Sequence, residues 1–430
     1  MRWFKLFKKI IEAFKNKDIR QRILFTLGIL FIYKLGTTIT IPRVDLGGLD
    51  FTNNENFSYI MSLMGGGNLS QFSLFTLGVG PYITASIIVE ILASEEMLPA
   101  LANLKKQGEQ GRKKLNNTTR YLSLLLCVVQ GYGLLATLGI EETLNFASKI
   151  YVVSVMTAGS VFLGWLGDQI SEKGIGNGIS VIIFAGIVMS MPQQIEYAYQ
   201  QFVGQVGIET LSFVIKFAIY LLAYIAIIAF VVFLEKSVRK IPVKYAANNQ
   251  QASNDITFLP IKLNSAGVIP VIYASSLLNA VVMIGSFFTT SSTLTNLFTI
   301  GNSYKGFQWS TLMYAVLIVL FSYYQSNMQV NPHDTAENLA NQNAYIPGIR
   351  QGKETEKHIS KVLNRITFIG MCGLLFIALL PYLLPLIFPS LSASIAFGGT
   401  GLIIVVGVVT ETTTQIVSKL NSKQYRGFSY

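Results

Sequence analysis

An all-α fold, a polytopic membrane protein of ten transmembrane helices in two pseudo-symmetric inverted halves of five, is predicted here by three features of the sequence. Only 13% of the 430 residues are charged and 51% are hydrophobic, about half the charged share of an ordinary soluble domain. Apolar runs of about twenty residues, the length that crosses a hydrocarbon core of roughly 30 Å, recur along the chain. Lysine and arginine are concentrated in alternate connecting segments, the pattern that fixes orientation in a membrane.

A spanning segment must satisfy its own backbone hydrogen bonds, so the choice lies between helices and a closed barrel. Runs such as Leu211 to Leu234 and Ser310 to Tyr323 are long and continuous, whereas barrel strands are short and alternate. The apolar windows place helices at 23–41, 72–93, 119–139, 150–167, 179–195, 211–234, 266–288, 310–330, 365–384 and 395–418.

Residues 1–22 form a basic, amphipathic N-terminus, and no small-residue cleavage site follows the first apolar run, so that run is expected to remain as a helix. An N-terminal half covers 23–195, an external loop 196–210, a C-terminal half 211–418 and a tail 419–430. Eight Lys and Arg fall in 1–22, six in 94–120, one in 168–178, five each in the long loops 235–265 and 331–365, and three after 418. The opposite loops hold only Arg43, Lys149 and Lys305. Cationic loops stay on the cytoplasmic side, which puts both termini there. Cys127 and Cys372 fall inside spans, where a thiol is usually a small buried apolar group, so no disulfide framework is implied.

Two sets of five helices must point in opposite directions, which permits an inverted repeat. The second helix of each set is interrupted, by Gly78, Gly80 and Pro81 in the first and by Gly267 and Pro270 in the other. Aligned on the prolines, residues 78–86 and 267–275 share six of nine residues. Paired interrupted helices at corresponding places in two halves mark the functional centre of many membrane proteins, so a path is expected between spans 2 and 7.

An inverted-repeat secondary transporter of a small solute is the rival reading. It requires ionisable groups at mid-membrane, and the clearest candidates, Glu90 and Glu411, sit toward the cytoplasmic ends of their helices. An enzyme is not expected. His333 and His358, the only histidines, have no ligand-like spacing, and neither H-E-x-x-H nor G-x-x-x-x-G-K-[ST] occurs. The run Gly174–Gly178 lacks the lysine of a phosphate loop and reads as a tight turn. No metal or organic cofactor is expected.

The stretches Phe75–Ser86, Gln107–Lys114, Gly174–Ser180, Ala266–Pro270, Tyr345–Arg350 and Phe397–Thr400 together resemble the SecY family of channel subunits of bacterial protein translocons, almost end to end. The resemblance implies a protein-conducting channel hinged at the 196–210 loop, with a lateral gate between helices 2 and 7. Its pore ring would be Val79, Ile83, Ile179, Ile183, Ile272 and Ile404. Its plug would lie near 57–68, with Ile60, Met61, Leu63, Met64, Gly65 and Gly66, and its gate would involve Pro81, Thr84, Gln130, Pro270 and Ser275. Arg239, Lys240 and Arg350 would meet the motor ATPase SecA or the ribosome, through ribosomal RNA or protein. SecE and SecG are the implied companions in a heterotrimer; signal sequences, translocating polypeptides and membrane lipids complete the partners, in the bacterial inner membrane. Two departures stand out: Glu90 where many relatives carry glutamine, and Val79 where some carry isoleucine.

Overall fold

The computed structural model describes residues 14–42, 72–93, 107–137, 144–203, 210–245, 257–288, 309–387 and 399–426, with 98, 101, 103 and 104. In order the elements are α1 (Lys17–Thr38), α2 (Gly80–Leu92), α3 (Gly108–Thr137), α4 (Phe146–Lys173), α5 (Gly178–Val203), α6 (Thr210–Lys236), β1 (Val238–Tyr245), β2 (Thr257–Lys262), α7 (Ile269–Phe288), α8 (Trp309–Gln329), α9 (Pro332–Asn341), β3 (Ala344–Tyr345), α10 (Lys353–Ile387) and α11 (Gly399–Arg426). Each of the ten sequence windows contains a helix. Among the described residues, α3, α4, α6, α10 and α11 contain stretches long and apolar enough to cross a membrane, and α2, α5 and α7 contain shorter apolar ones.

Helix α6 shows why lipid is the solvent. It exposes Ile215, Ile219, Leu222, Ile225 and Phe233, with Leu222 at 70%; a stripe of that kind on one helix would aggregate in water. The helices bury one large apolar cluster that runs from Ile29 and Phe75 through Leu163 and Ile182 to Ile318, Ile377 and Ile403. Helix α2 packs against α3 and α4, α5 against α6 and α11, and α7 against α2, α3 and α8.

Some helices fall short of their sequence windows, α1 ending at Thr38 rather than 41 and α2 beginning at Gly80 rather than 72, while others run longer. Helix α3 begins at Gly108 rather than near 119, α5 runs on to Val203 into the expected 196–210 loop, α10 begins at Lys353 inside the expected 331–365 loop, and α11 continues past 418 to Arg426. Hydropathy reports where lipid stops, while helical hydrogen bonding continues into polar sequence as long as its residues favour it.

The all-α expectation is corrected in the two long basic loops, which build one small α/β unit. Strands β1 and β2 form an antiparallel hairpin with Val238 opposite Lys262 and Val243 opposite Thr257, and β3 pairs with β1 at Lys244 and Tyr245. Ile241, Val243, Ile261, Leu339, Ile346, Ile359 and Leu363 close its core. Residues 241 to 244 alternate buried and exposed, the period of a strand with one covered face.

His333 Nδ1 lies 3.2 Å from Glu356 Oε2 and ties α9 to α10. That hydrogen bond, with the adjacent carboxylate charge, raises the His333 pKa above its ordinary 6.5. The contact is therefore fully present below about pH 6.5 and is lost as pH rises through the raised value. Glu356→Gln is expected to lower the His333 titration midpoint, read from its imidazole proton resonances; an unchanged midpoint would refute the pairing.

Candidate channel site

The Gly-Pro interruptions are helix starts. Gly78 (φ 58) and Gly267 (φ 65) are left-handed, a conformation that costs a residue with a Cβ but not glycine. In each half a proline follows three residues later in the first turn of the helix, where its missing N–H is not needed. The hydrogen bonds repeat as well. Gly78 N donates to Phe75 O at 2.8 Å and Ile83 N to Val79 O at 3.0 Å; Gly267 N donates to Asn264 O at 3.3 Å and Ile272 N to Val268 O at 3.4 Å. Ile83 and Ile272 thus occupy the same place in the two motifs.

Each left-handed turn is held by one polar side chain. Ser160 Oγ on α4 donates to Gly78 O at 2.7 Å. Asn264 Nδ2 donates to Gly267 O at 3.0 Å and to Glu235 Oε1 at 2.6 Å. The sequence reading did not find Ser160, Asn264 or Glu235, because nothing local marks a serine 82 positions away as the partner of a glycine carbonyl.

Val79, Ile83, Ile183, Ile272 and Ile404 all enter the large apolar cluster, and Ile179 packs against it. None of the five is more than 7% exposed. They come from α2 and the turn before it, from α5, α7 and α11, so four separate segments contribute to one apolar cluster. Ile83, Ile179, Ile183 and Ile272 also line a cavity of about 250 Å³. The same cavity is lined by Asn177, Ser180, Glu235, Lys262, Asn264, Gln329, Thr410 and Glu411, so polar and branched aliphatic side chains face one space. Glu411, one of the two carboxylates singled out in the sequence, is among these residues.

The seam where α7 meets α2 and α3 holds the other predicted residues. Pro81, Thr84, Gln130 and Pro270 are buried and Ser275 is half-buried. Thr84 and Ser275 return their hydroxyls to their own helices, at Gly80 O and Ile272 O. Gln130 Nε2 and Ser276 Oγ are buried without a hydrogen-bond partner among the described residues. One turn past Gln130, a Cβ on Gly133 would run into the Met283 backbone of α7, which shows how closely α3 and α7 approach. Across the same seam the Tyr273 hydroxyl on α7 donates to Glu90 Oε2 on α2 at 2.8 Å, and Tyr324 on α8 donates to Glu90 O at 3.3 Å. Glu90 is therefore a link between helices.

Lys240 projects from β1 with its ammonium 5.6 Å from the Phe258 ring. Arg239 and Arg350 are exposed on the same small unit. The plug residues Ile60, Met61, Leu63, Met64, Gly65 and Gly66 lie outside the described residues. Among the described residues no group of three or more His, Cys, Asp or Glu is placed to hold a metal ion.

Residues 73–413 match the sequence pattern described as SecY. The protein translocase subunit SecY of Streptococcus gordonii is 39% identical over 431 residues, covering 98% of each chain. A structure described as showing that the plug domain of the SecY protein stabilises the closed state of the translocation channel and maintains a membrane seal superposes with a TM-score of 0.64 at 19% identity, covering 95% of this chain and 94% of that one. Sec61 in the canine ribosome-channel complex from the endoplasmic reticulum gives 0.60 at 18% identity, with 95% and 94% covered. At those identities the structural likeness shows the fold.

Proposed function

The chain belongs to the SecY family, and from that premise we propose that Val79, Ile83, Ile179, Ile183, Ile272 and Ile404 form the seal of its pore. The protein is a multi-pass membrane subunit of a protein-translocation channel and no enzyme. The observation that carries the seal is that all six lie in or against one apolar cluster, and that Ile83, Ile179, Ile183 and Ile272 among them also line the polar cavity. A narrow ring of branched aliphatic side chains excludes water and ions by dewetting when empty. Being soft and without polar partners, it yields around a passing chain and closes behind it.

The ten principal helices form two inverted halves of five, α1–α5 and α6, α7, α8, α10 and α11, with the hinge at 196–210. The repeated Gly-x-x-Pro starts support this pairing. Both termini and the small α/β unit face the cytoplasm of a bacterial cell. The seam lined by Pro81, Thr84, Gln130, Pro270 and Ser275 is the lateral gate, through which signal sequences and membrane helices pass into lipid. Buried groups such as Gln130 Nε2 and Ser276 Oγ favour a seam that can part, because separation lets each find a partner and lowers the cost of opening.

The plug at 57–68 covers the ring from outside. SecE clamps the two halves and SecG sits at the periphery, while SecA and the ribosome engage Arg239, Lys240 and Arg350. The description of Sec61 in a ribosome complex and the exposure of all three cations on one unit support that role. The transporter alternative needs a free ionisable group on the path, whereas Glu90 is held by Tyr273.

The test arrests a secretory polypeptide in transit through the complex reconstituted in vesicles. Cysteine in place of Ile183 is expected to crosslink to a cysteine in the arrested chain, while cysteine in place of the outward Leu222 gives none. Equal crosslinking at both places, or uptake of a small solute with no polypeptide transit, would overturn the reading.

A further inference from the structure

The glycine-rich run Gly174–Gly178 between α4 and α5 is wired by side chains. Ile175 N donates to Thr26 Oγ1 at 3.2 Å, Gly176 N to Gln415 Oε1 at 3.1 Å and Gly178 N to Ser171 Oγ at 2.9 Å, while Arg22 Nη1 donates to Gly174 O at 3.4 Å. Backbone donors that a phosphate loop would turn toward an anion are taken up inside the protein. The partners come from three helices: Arg22 and Thr26 from α1, Ser171 from α4 and Gln415 from α11. Gln415 thus reaches the turn from the other proposed half, 239 positions along the chain.

Apolar contacts reinforce the polar ones. Ile175 clusters with Ile19 of α1 and Leu420 of α11, and Ile416 packs beside them. A Cβ on Gly176 would stand 3.2 Å from Thr412 Oγ1, so α11 lies directly against the turn. Asn177 Oδ1 then accepts from Ile179 N at 3.2 Å and Asn177 O from Val181 N at 2.9 Å, which caps the helix and fixes where Ile179 and Ile183 stand. On α11, Ile404 lies about three turns before Gln415 and on the same face. We propose that Gln415 is a positioning residue for the seal: it ties α11 to the turn that launches α5, and so keeps Ile179 and Ile183 in register with Ile404. The α5 and α11 members then form the fixed side of the ring, and opening falls to the α2 and α7 side.

Because Ile179 and Ile183 enter here as members of the proposed seal, the test carries a control for that reading. Resting ion conductance of the full chain, assembled with its proposed partner subunits in planar bilayers, is compared for Gln415→Leu, Gln415→Asn, Gln415→Glu and Thr413→Val. Gln415→Leu removes the acceptor and is expected to leak roughly fivefold more than the unaltered channel, the factor that one neutral hydrogen bond contributes to an equilibrium. Gln415→Asn draws the acceptor back by one methylene and is expected to leak as well, which serves if the leucine variant fails to assemble. Gln415→Glu keeps an acceptor oxygen at the same reach and is expected to stay silent. Thr413→Val removes a bond to its own helix, at Thr410 O; it controls for general loosening of α11 and should also stay silent. Silent Gln415→Leu and Gln415→Asn channels beside a leaking Ile83→Gly/Ile272→Gly channel would overturn the role of Gln415 and leave the seal standing. A silent double-glycine channel would overturn the seal itself. Leaks of equal size in Gln415→Leu and Gln415→Glu, or in Thr413→Val, would show a general effect of altering α11 and overturn the proposal too.

Discussion

Purified protein carrying Ile83→Gly with Ile272→Gly, assembled with the proposed SecE partner in planar bilayers, is expected to conduct ions at least on the order of tenfold more than the unaltered channel. The two isoleucines sit at matching hydrogen-bonded positions in the two helix starts, and both are buried in the shared apolar cluster. Removing both side chains takes branched hydrocarbon from both helix starts in the proposed ring. Water then wets the gap, and ions follow. A chain lacking Phe57 to Asn68 is expected to leak as well, because the proposed plug over the ring is removed. Ile83→Leu with Ile272→Leu keeps apolar volume and should stay silent, which separates loss of the seal from loss of packing. Silent bilayers with a folded double-glycine channel would show that the constriction lies elsewhere.

Tyr273→Phe is expected to loosen the proposed lateral gate. The Tyr273 hydroxyl donates to Glu90 Oε2 at 2.8 Å between α7 and α2, and a side-chain hydrogen bond contributes on the order of 1 kcal/mol net, more where its acceptor carries charge. Glu90 is only half-buried, so solvent competes and about 1 to 2 kcal/mol is the appropriate scale. That is roughly a 5- to 30-fold shift toward the parted seam, by which amount a signal sequence need contribute less binding free energy to open it. The measurement is export of a polypeptide whose signal sequence has been weakened, which should rise in Tyr273→Phe. Glu90→Gln retains an acceptor and should change export less than Glu90→Leu. Export unchanged in both Tyr273→Phe and Glu90→Leu would remove the latch from the mechanism.

Much of this was legible before any coordinates. The ten helical windows follow from hydropathy summed over about twenty residues, a local quantity. The ring residues were identified through resemblance, and the meeting of α2, α5, α7 and α11 segments in one cluster supports their grouping. The small sheet was missed although Ile241 and Val243 stand at alternate positions flanked by Lys240 and Lys244. A strand of six to eight residues carries too little periodicity to stand out beside continuous apolar runs, and its pairing partners are supplied by distant loops.

Membership in lipid, the number of apolar segments and the side on which cations gather are properties of residues taken singly or in short windows, because transfer between water and hydrocarbon depends on each segment's own composition. Tertiary structure alone decided the rest. It joined the two basic loops into one unit, set Ser160 and Asn264 against the two glycine carbonyls, and made Glu90 a link between α2 and α7. Those contacts bring together side chains as far as 183 positions apart, and a hydrogen bond of 2.8 Å depends on how whole helices pack, which no local window contains.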